Sequence, residues 1–242
     1  AGNIIVAWVQ QYTGPDSTLY GVWVSQSSDG TAWTPAVQVA AADVFSMTFA
    51  MARNGIARMA WSQETETNKK GVFTATYDKT SWKVDPAPVL DPNDPGVVDP
   101  EDPNPVLAMG GTGDAILVFD AKDANKRTSV AAVTLTGTTR SAMRILDTNT
   151  TDTVYAENRS VAMNANGEGV VVWGENATTT AVLNLAYYTP SSGWTSVQKV
   201  TDGDEFYRAL VAAFLDALET EGHGSQEFAE HLRSFWPGLE QE

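Results

Sequence analysis

Five acidic side chains in a proline-studded stretch, Asp91, Asp94, Asp99, Glu101 and Asp102, offer hard oxygen donors of the kind that hold calcium. Their spacing is not that of an EF-hand loop, and the intervening prolines stiffen the chain, so a solvated linker is the competing reading. Apart from such a calcium ion no cofactor is expected. His223 and His231 stand eight residues apart with no third ligand near them, which argues against zinc. Trp23, Trp33, Trp82 and Trp194 can stack on sugar rings, or can equally fill a core and a sheet edge. Gly110-Gly111-Thr112-Gly113 precedes a strand rather than opening a helix, the wrong context for a phosphate loop. The chain has no Gly-x-Ser-x-Gly elbow and no cysteine nucleophile. The sequons at Asn149, Asn158 and Asn176 are what chance gives in a threonine-rich chain.

The bulk composition narrows the partners. Thirty acidic against fifteen basic residues give a formal charge of −15, which repels nucleic acid and anionic membranes and suits cations and solubility. The 242 residues suffice for a substantial core. Without cysteine no disulfide can hold that core. No stretch is long and apolar enough to span a bilayer. The first residue is Ala, lysine is scarce, and Thr, Ser, Asn and Trp are plentiful. A secreted or extracellular location is expected, at a bacterial cell surface or in a periplasm.

The elements that must position any site come from a repeat. Ala162-Met163 is followed by Gly167 and then, after an apolar run, by Trp173. Ala50-Met51 with Gly55 and Trp61, and Ala108-Met109 with Gly113 and Phe119, keep the same frame. Gly2 and Trp8 form a fourth copy without its first half. The anchors Trp8, Trp61, Phe119 and Trp173 lie 53, 58 and 54 residues apart. A short strand ending in Ala-Met, a glycine turn, and a β-branched second strand form a hairpin with two faces to cover, so copies must stack. A period near 50 residues rich in short strands is that of propeller blades.

Within the units, strands are expected at 3–9, 19–25 and 33–39, at 56–63 and 71–77, and at 170–174 and 182–188. A second Trp follows each anchor by 25, 21 and 21 residues, at Trp33, Trp82 and Trp194, and is absent near Arg140 in the third unit. The fold class is therefore mainly β, a propeller-like array of about four blades over residues 1–201, incomplete at the first. The units span about 1–45, 46–90, 106–146 and 158–201. A Pro/Asp-rich insertion at 85–105 reads as an extended loop crossing between the second and third. From 202 to 242 the pattern turns helical. Phe206, Leu210, Phe214 and Leu218, then Phe228, Leu232, Phe235 and Trp236, form the apolar stripe of a helical hairpin that needs a partner surface. Neither end completes a fifth blade, so the chain is a small ring, a piece of a longer protein, or a ring closed by another chain.

The units resemble the sialidase-type, BNR or Asp-box, β-propeller repeat. The family's box runs Ser/Thr-x-Asp-x-Gly-x-Thr-Trp. Ser27-Ser28-Asp29-Gly30-Thr31-Ala32-Trp33 follows it with one residue fewer before the glycine, and Asp78 with Trp82 and Ser192-Gly193-Trp194 are more degenerate. The resemblance implies that Ser27, Asp29, Gly30 and Trp33 build a structural turn distant from any catalytic centre. It also implies a search for three arginines clamping a carboxylate, a Tyr-Glu pair and an Asp acid. Arg53, Arg58, Arg127, Arg140, Arg144 and Arg159 do not recur at one phase of the repeat and read as solvated; Glu157 beside Tyr155 is a weak match to the pair.

The reading that follows is a secreted, non-enzymatic binding or assembly module whose tail docks on a protein partner or another copy, with carbohydrate as a further ligand. The alternatives are a glycosidase-like enzyme, or a fragment of one, with a site not recognisable here, and a structural subunit of an extracellular assembly.

Overall fold

The structure is a computed structural model that describes residues 4–14, 18–66, 69–91, 103–122, 128–146, 155–176 and 181–200. The chain divides into two compact units, Ala1–Val197 and Gln198–Glu242. Of the second unit only a short strand, Gln198–Val200, is described. The expected helical hairpin, with its stripe from Phe206 to Trp236, lies outside the described residues. Among the described residues no helix is long and apolar enough to cross a membrane.

The first unit is all β and consists of four antiparallel sheets in chain order. The first holds β1 (Ile4–Thr13), β2 (Thr18–Ser27) and β3 (Val37–Ala40). The second holds β4 (Val44–Met51), β5 (Ala57–Glu66), β6 (Lys69–Tyr77) and β7 (Trp82–Val84). In the third, β8 (Val106–Met109), β9 (Ala115–Lys122), β10 (Thr128–Thr136) and β11 (Thr139–Arg140) follow one another, and β12 (Arg144–Ile145) also pairs with β10. The fourth holds β13 (Tyr155–Met163), β14 (Gly169–Asn176), β15 (Ala181–Thr189) and β16 (Gly193–Trp194).

The repeat frame is a register. Met51 pairs with Ala57, Met109 with Ala115 and Met163 with Gly169. Between each pair runs a loop of one design. The amide of its first residue donates to the carbonyl of its last: Ala52 to Ile56, Gly110 to Asp114 and Asn164 to Glu168, at 2.8, 2.8 and 2.9 Å. Gly55, Gly113 and Gly167 occupy the fourth place with φ of +83°, +94° and +81°, where a Cβ would crowd the backbone. Adjacent loops touch: Asn54 Nδ2 donates to the Thr112 carbonyl at 2.8 Å. A Cβ added at Gly113 would meet Ile56 side-chain atoms at 3.1 Å.

The sheets stack face to face. Each anchor aromatic points back onto the sheet before it. Trp61 packs with Val22 and Val24 of the first sheet, Phe119 with Ala60 and Val72 of the second, and Trp173 with Ile116 and Val118 of the third. All three anchors are at most 1% exposed. Burying such a side chain contributes about 1.5–3 kcal/mol. The third sheet is covered on both sides, so β9 is buried almost throughout.

Three expectations need correction. The third strand of the first sheet begins at Val37, not Trp33. Thr34 already holds β2 there: its Oγ1 accepts from the Gln26 amide at 3.0 Å and its amide donates to the Gln26 carbonyl at 2.8 Å, while Pro35 has no amide to continue a ladder. Trp33 is 43% exposed rather than packed on the sheet edge. The described ends of the 85–105 insertion are packed and paired. Leu90 is fully buried and bridges Val72, and Pro103 and Pro105 are buried.

Gly113→Ala is expected to destabilise the chain more than Gly167→Ala, because the first adds a steric contact to a conformational cost of about 1–2 kcal/mol common to both. Urea midpoints of the two variants give the order; equal losses would show that the Ile56 contact carries no energy.

Candidate functional site

The site is built where consecutive sheets meet. At the end of β2, Asp29 Oδ1 accepts from the amides of Thr31 and Ala32 at 2.8 and 2.9 Å, and Ser27 Oγ donates to it at 3.1 Å. Ser27 Oγ also accepts from the Gly30 amide at 2.8 Å, with Gly30 at φ +79°. At the end of β6, Asp78 Oδ1 accepts from the amides of Thr80 and Ser81, each at 3.0 Å, while Lys79 takes the left-handed place at φ +79°. Backbone amides from Ala32 and Thr31 hold the Asp29 carboxyl well below its ordinary range; at Asp78 the Lys83 ammonium at 2.6 Å leads, followed by Thr80. Both carboxylates are consumed within their own turns, so neither is free for acid–base work.

Between these two turns lies a cleft of about 340 Å³. Its walls come from β2, β3 and the turn into β7, with Ser25, Gln26, Thr34, Gln38, Ser81 and Trp82 among the lining residues. Every lining residue is uncharged. The Trp82 indole is fixed by Tyr77 and Phe49, at centroid distances of 5.4 and 6.1 Å. Trp82 Nε1 is a buried donor with no hydrogen-bond partner in the protein. Gln38 Nε2 is another, but its side chain lies beside Gly21 and Tyr12 on the other face of the first sheet, paired with Trp23. Burying a donor unsatisfied is costly, so a cleft holding the indole N–H of Trp82 is suited to a ligand rich in hydroxyl acceptors. The sequence had offered Trp82 as a sugar-stacking residue.

The other Trp candidates are dispersed. Trp23 lies on β2 opposite Trp8, Trp33 is exposed beyond the Asp29 turn, and Trp194 packs on Tyr188 at 5.2 Å. The acidic candidates Asp94, Asp99, Glu101 and Asp102 lie outside the described residues, and Asp91 is the last residue before that gap. Among the described residues no group of three or more His, Asp or Glu is placed to hold a metal.

The arginines depart most from the sequence reading. Arg58, read as solvated, is 4% exposed. Its Nε donates to the Gly113 carbonyl at 3.0 Å, one terminal nitrogen to Thr76 Oγ1 at 3.1 Å, and the other to the Gly137 carbonyl at 2.6 Å. Burial lowers its pKa and the charges of Asp85 and Asp114 oppose that shift, so the guanidinium stays charged. Arg159, also read as solvated, pairs with Asp120 at 2.7 Å, their side chains 8% and 12% exposed, and donates to the Asn104 carbonyl at 2.7 Å. Arg140 donates to the Pro88 carbonyl at 2.6 Å and Arg144 to that of Thr195 at 3.5 Å. Four arginines thus tie one sheet to carbonyls of the next sheet or of a connecting segment. A second cleft, of about 210 Å³ and lined by Arg58, Asp85 and Arg140, lies at one such junction. Arg58 stands one residue from the loop end of β5, whereas Arg159 is four residues from the loop end of β13, so the two do not converge on one carboxylate. For the expected Tyr155 and Glu157 pair, the structure gives only a place on β13 beside Asn176 and Gly174.

No family model matches the sequence, and no curated protein is a significant match. Solved structures do match the fold. A protein of unknown function from Dyadobacter fermentans is 16% identical over 82% of this chain and 65% of its own, with a TM-score of 0.51. An α-L-arabinanase of Penicillium chrysogenum, complexed with arabinobiose, gives 13%, 84%, 64% and 0.52. An ulvan lyase bound to a glucuronate–sulfated rhamnose unit gives 12%, 84%, 57% and 0.51. The chain spans somewhat less than two thirds of each. At these identities the likeness is one of fold: the described sheets form a propeller-like scaffold of the glycosidase and lyase type.

Two outcomes test the junction chemistry. Arg159→Ala leaves the Asp120 carboxylate buried without its ion pair and is expected to cost about 3 kcal/mol in urea unfolding. The Asp120→Ala/Arg159→Ala double variant should lose less than the two singles summed; strict additivity would show the pair is uncoupled. The Asp29 carboxyl has a folded pKa below its ordinary value of about 3.9, so its contribution is present above that value and disappears as pH falls through the folded one. Asp29→Asn should therefore lower the urea midpoint at about pH 7, with the gap to the parent narrowing toward about pH 2.5.

Proposed function

We propose that this chain is a carbohydrate-directed module on a glycosidase-type propeller scaffold, with the cleft between the first two sheets holding a neutral sugar. One observation carries the reading: a buried donor without a protein partner, Trp82 Nε1, in an uncharged cleft walled by that same fixed indole. Sugars present ring hydroxyls as acceptors and C–H faces to aromatic rings, which is what such a cleft can satisfy. The propeller neighbours, one named as an arabinanase and one as an ulvan lyase, support carbohydrate as the ligand class over a purely protein partner. Assignment to the Asp-box family belongs to the same proposal, supported by the amide-bonded carboxylates of Asp29 and Asp78 at equivalent turns. So does an extracellular setting, which rests on composition.

Glycosidase activity is the second reading, favoured by the scaffold. It requires two carboxyl groups about 5–9.5 Å apart across a scissile bond. The segments joining β5 to β6, β9 to β10 and β14 to β15 contain residues outside the described set, so the reading is tested by assay rather than geometry.

Titration calorimetry of the full chain with arabinan oligosaccharides and with ulvan oligosaccharides is the direct test. The expected outcome is saturable binding to the neutral arabinan oligosaccharides, weakened about five- to thirtyfold by Trp82→Phe, which keeps an aromatic ring and removes the donor, since removing a hydrogen bond to a ligand costs about 1–2 kcal/mol. Binding unaffected by that change would move the site elsewhere, and no binding to either, or binding to the anionic ulvan pieces alone, would remove the proposal. Reducing sugar released from the same oligosaccharides would favour the enzymatic reading.

A further inference from the structure

Arg58 and Arg159 are both buried at sheet junctions, and they differ in their counter-ions. Arg159 meets the Asp120 carboxylate at 2.7 Å. The three protein acceptors of Arg58 are the Gly113 and Gly137 carbonyls and Thr76 Oγ1, all uncharged. Among the described residues no carboxylate is in ion-pair contact with it; Asp85 and Asp114 act on it through space. A buried charge is normally paired, because taking a lone one out of water is costly.

Arg58 lines the cleft of about 210 Å³ between the second and third sheets, room for one small ligand. One wall follows β7 and carries Asp85; the other is the turn from β10 into β11, with Gly137, Thr138 and Arg140. Gly137 has φ of +56°, and a Cβ added there would meet nothing within 4 Å, so this turn leaves open space beside it. A guanidinium has five N–H donors. Arg58 commits three of them to the protein. Arg140 places one terminal nitrogen on the Ala87 and Pro88 carbonyls at 3.2 and 2.6 Å, and its Nε and other terminal nitrogen have no acceptor among the described residues. Asp85 Oδ2 accepts from Thr74 Oγ1, which fixes the carboxylate and leaves Oδ1 as an acceptor. Two cations and one anion thus line the cleft, a local positive excess in a chain whose net charge is −15.

We propose that this cleft binds a small hydroxylated monocarboxylate, whose carboxylate takes the uncommitted N–H groups of Arg58 and Arg140 while a neighbouring hydroxyl donates to Asp85. A carboxylate matches the planar donor fork, and one negative charge matches the single positive excess. A dianion would be opposed by Asp85. An acid without hydroxyls would leave Asp85 without a donor. The site is separate from the neutral-sugar cleft, which lies between the first and second sheets and is uncharged. It is also separate from the three-arginine clamp that the Asp-box resemblance implies. Gly137 follows β10 as Asp78 follows β6, so this cleft lies at the end of the sheets that carries the amide-bonded turns, and the resemblance puts catalysis away from those turns.

Titration calorimetry of the full chain with glucuronate, and with acetate as the acid lacking hydroxyls, tests the proposal. Near-ultraviolet circular dichroism confirms that the variants fold. Glucuronate should bind saturably with Kd of about 1 mM or tighter, acetate at least about tenfold more weakly. Binding should weaken as salt rises, because the contact is ionic. Arg140→Gln should weaken glucuronate at least about tenfold, and Arg140→Lys, which keeps the charge, should lose less. Trp82→Phe should leave glucuronate binding unchanged, which separates failure here from failure of the neutral-sugar cleft. No glucuronate binding overturns the proposal, as does binding that Arg140→Gln leaves intact. Acetate binding as tightly as glucuronate overturns the hydroxylated class. Binding lost in Trp82→Phe but kept in Arg140→Gln would place the acid in the first cleft and overturn this site.

Discussion

A sheet with apolar side chains on both sides has no stable existence alone, and this single constraint orders the molecule. The second strand of each complete repeat carries apolar side chains on both sides up to its anchor aromatic, most fully in Ile116-Leu117-Val118-Phe119, so neither side can face water there. Stacking resolves it. The large aromatic goes backward onto small and branched side chains of the preceding sheet, and those branched side chains go forward. With no cysteine anywhere in the chain, this face-to-face burial replaces the covalent staples that many extracellular β-proteins use.

Apolar faces alone leave the sheets free to slide, because dispersion contacts have little direction. The arginines supply the direction. Each guanidinium is a rigid fork of donors, and Arg58, Arg140, Arg144 and Arg159 place theirs on backbone carbonyls of a neighbouring sheet or its connecting segment. A carbonyl target constrains geometry without adding a second charge to desolvate. Only Arg159 also takes a buried carboxylate, Asp120. The loops between first and second strands act in the same sense. Asn54 reaches Thr112, and the small residues Gly110 and Gly111 let the next loop approach within van der Waals distance of their backbones.

Much of this was legible in the sequence because it depends on period and on local turn chemistry. Met-to-glycine-to-aromatic spacing gave the register of three hairpins, and Asp29-Gly30 marked a turn, though not that the carboxylates of Asp29 and Asp78 would bind the amides of their own turns. What was not legible depends on which strand lies beside which. Arg58 and Arg159 read as surface residues since a lone arginine in a strand usually projects into solvent; their carbonyl partners lie 55 residues away or more in the chain. Gln38 is an unremarkable amide until β2 and β3 are paired and its donor is seen to lack a partner. Thr34 delayed the start of the first sheet's third strand by offering a hydroxyl where a backbone carbonyl was expected, and Thr195 likewise accepts from the Tyr187 amide in the fourth. Propensity cannot distinguish such a threonine from an ordinary strand residue.

The first sheet shows how much of this arrangement is local to one strand. Soluble β-proteins protect an exposed edge or face with charge, proline or a bulge. β1 has none of these among its ten residues, Ile4–Thr13, although acidic residues are abundant elsewhere in the chain. Its tryptophan is posed by Gln10 as the buried Trp61 is posed by Gln63, so the side chain is prepared for a covered environment. Among the described residues the first sheet therefore keeps the aromatic geometry of an internal junction on a face that no described sheet covers, which shows that the pose of the anchor is set within its own strand, by the Gln two residues on, before any neighbouring sheet packs against it.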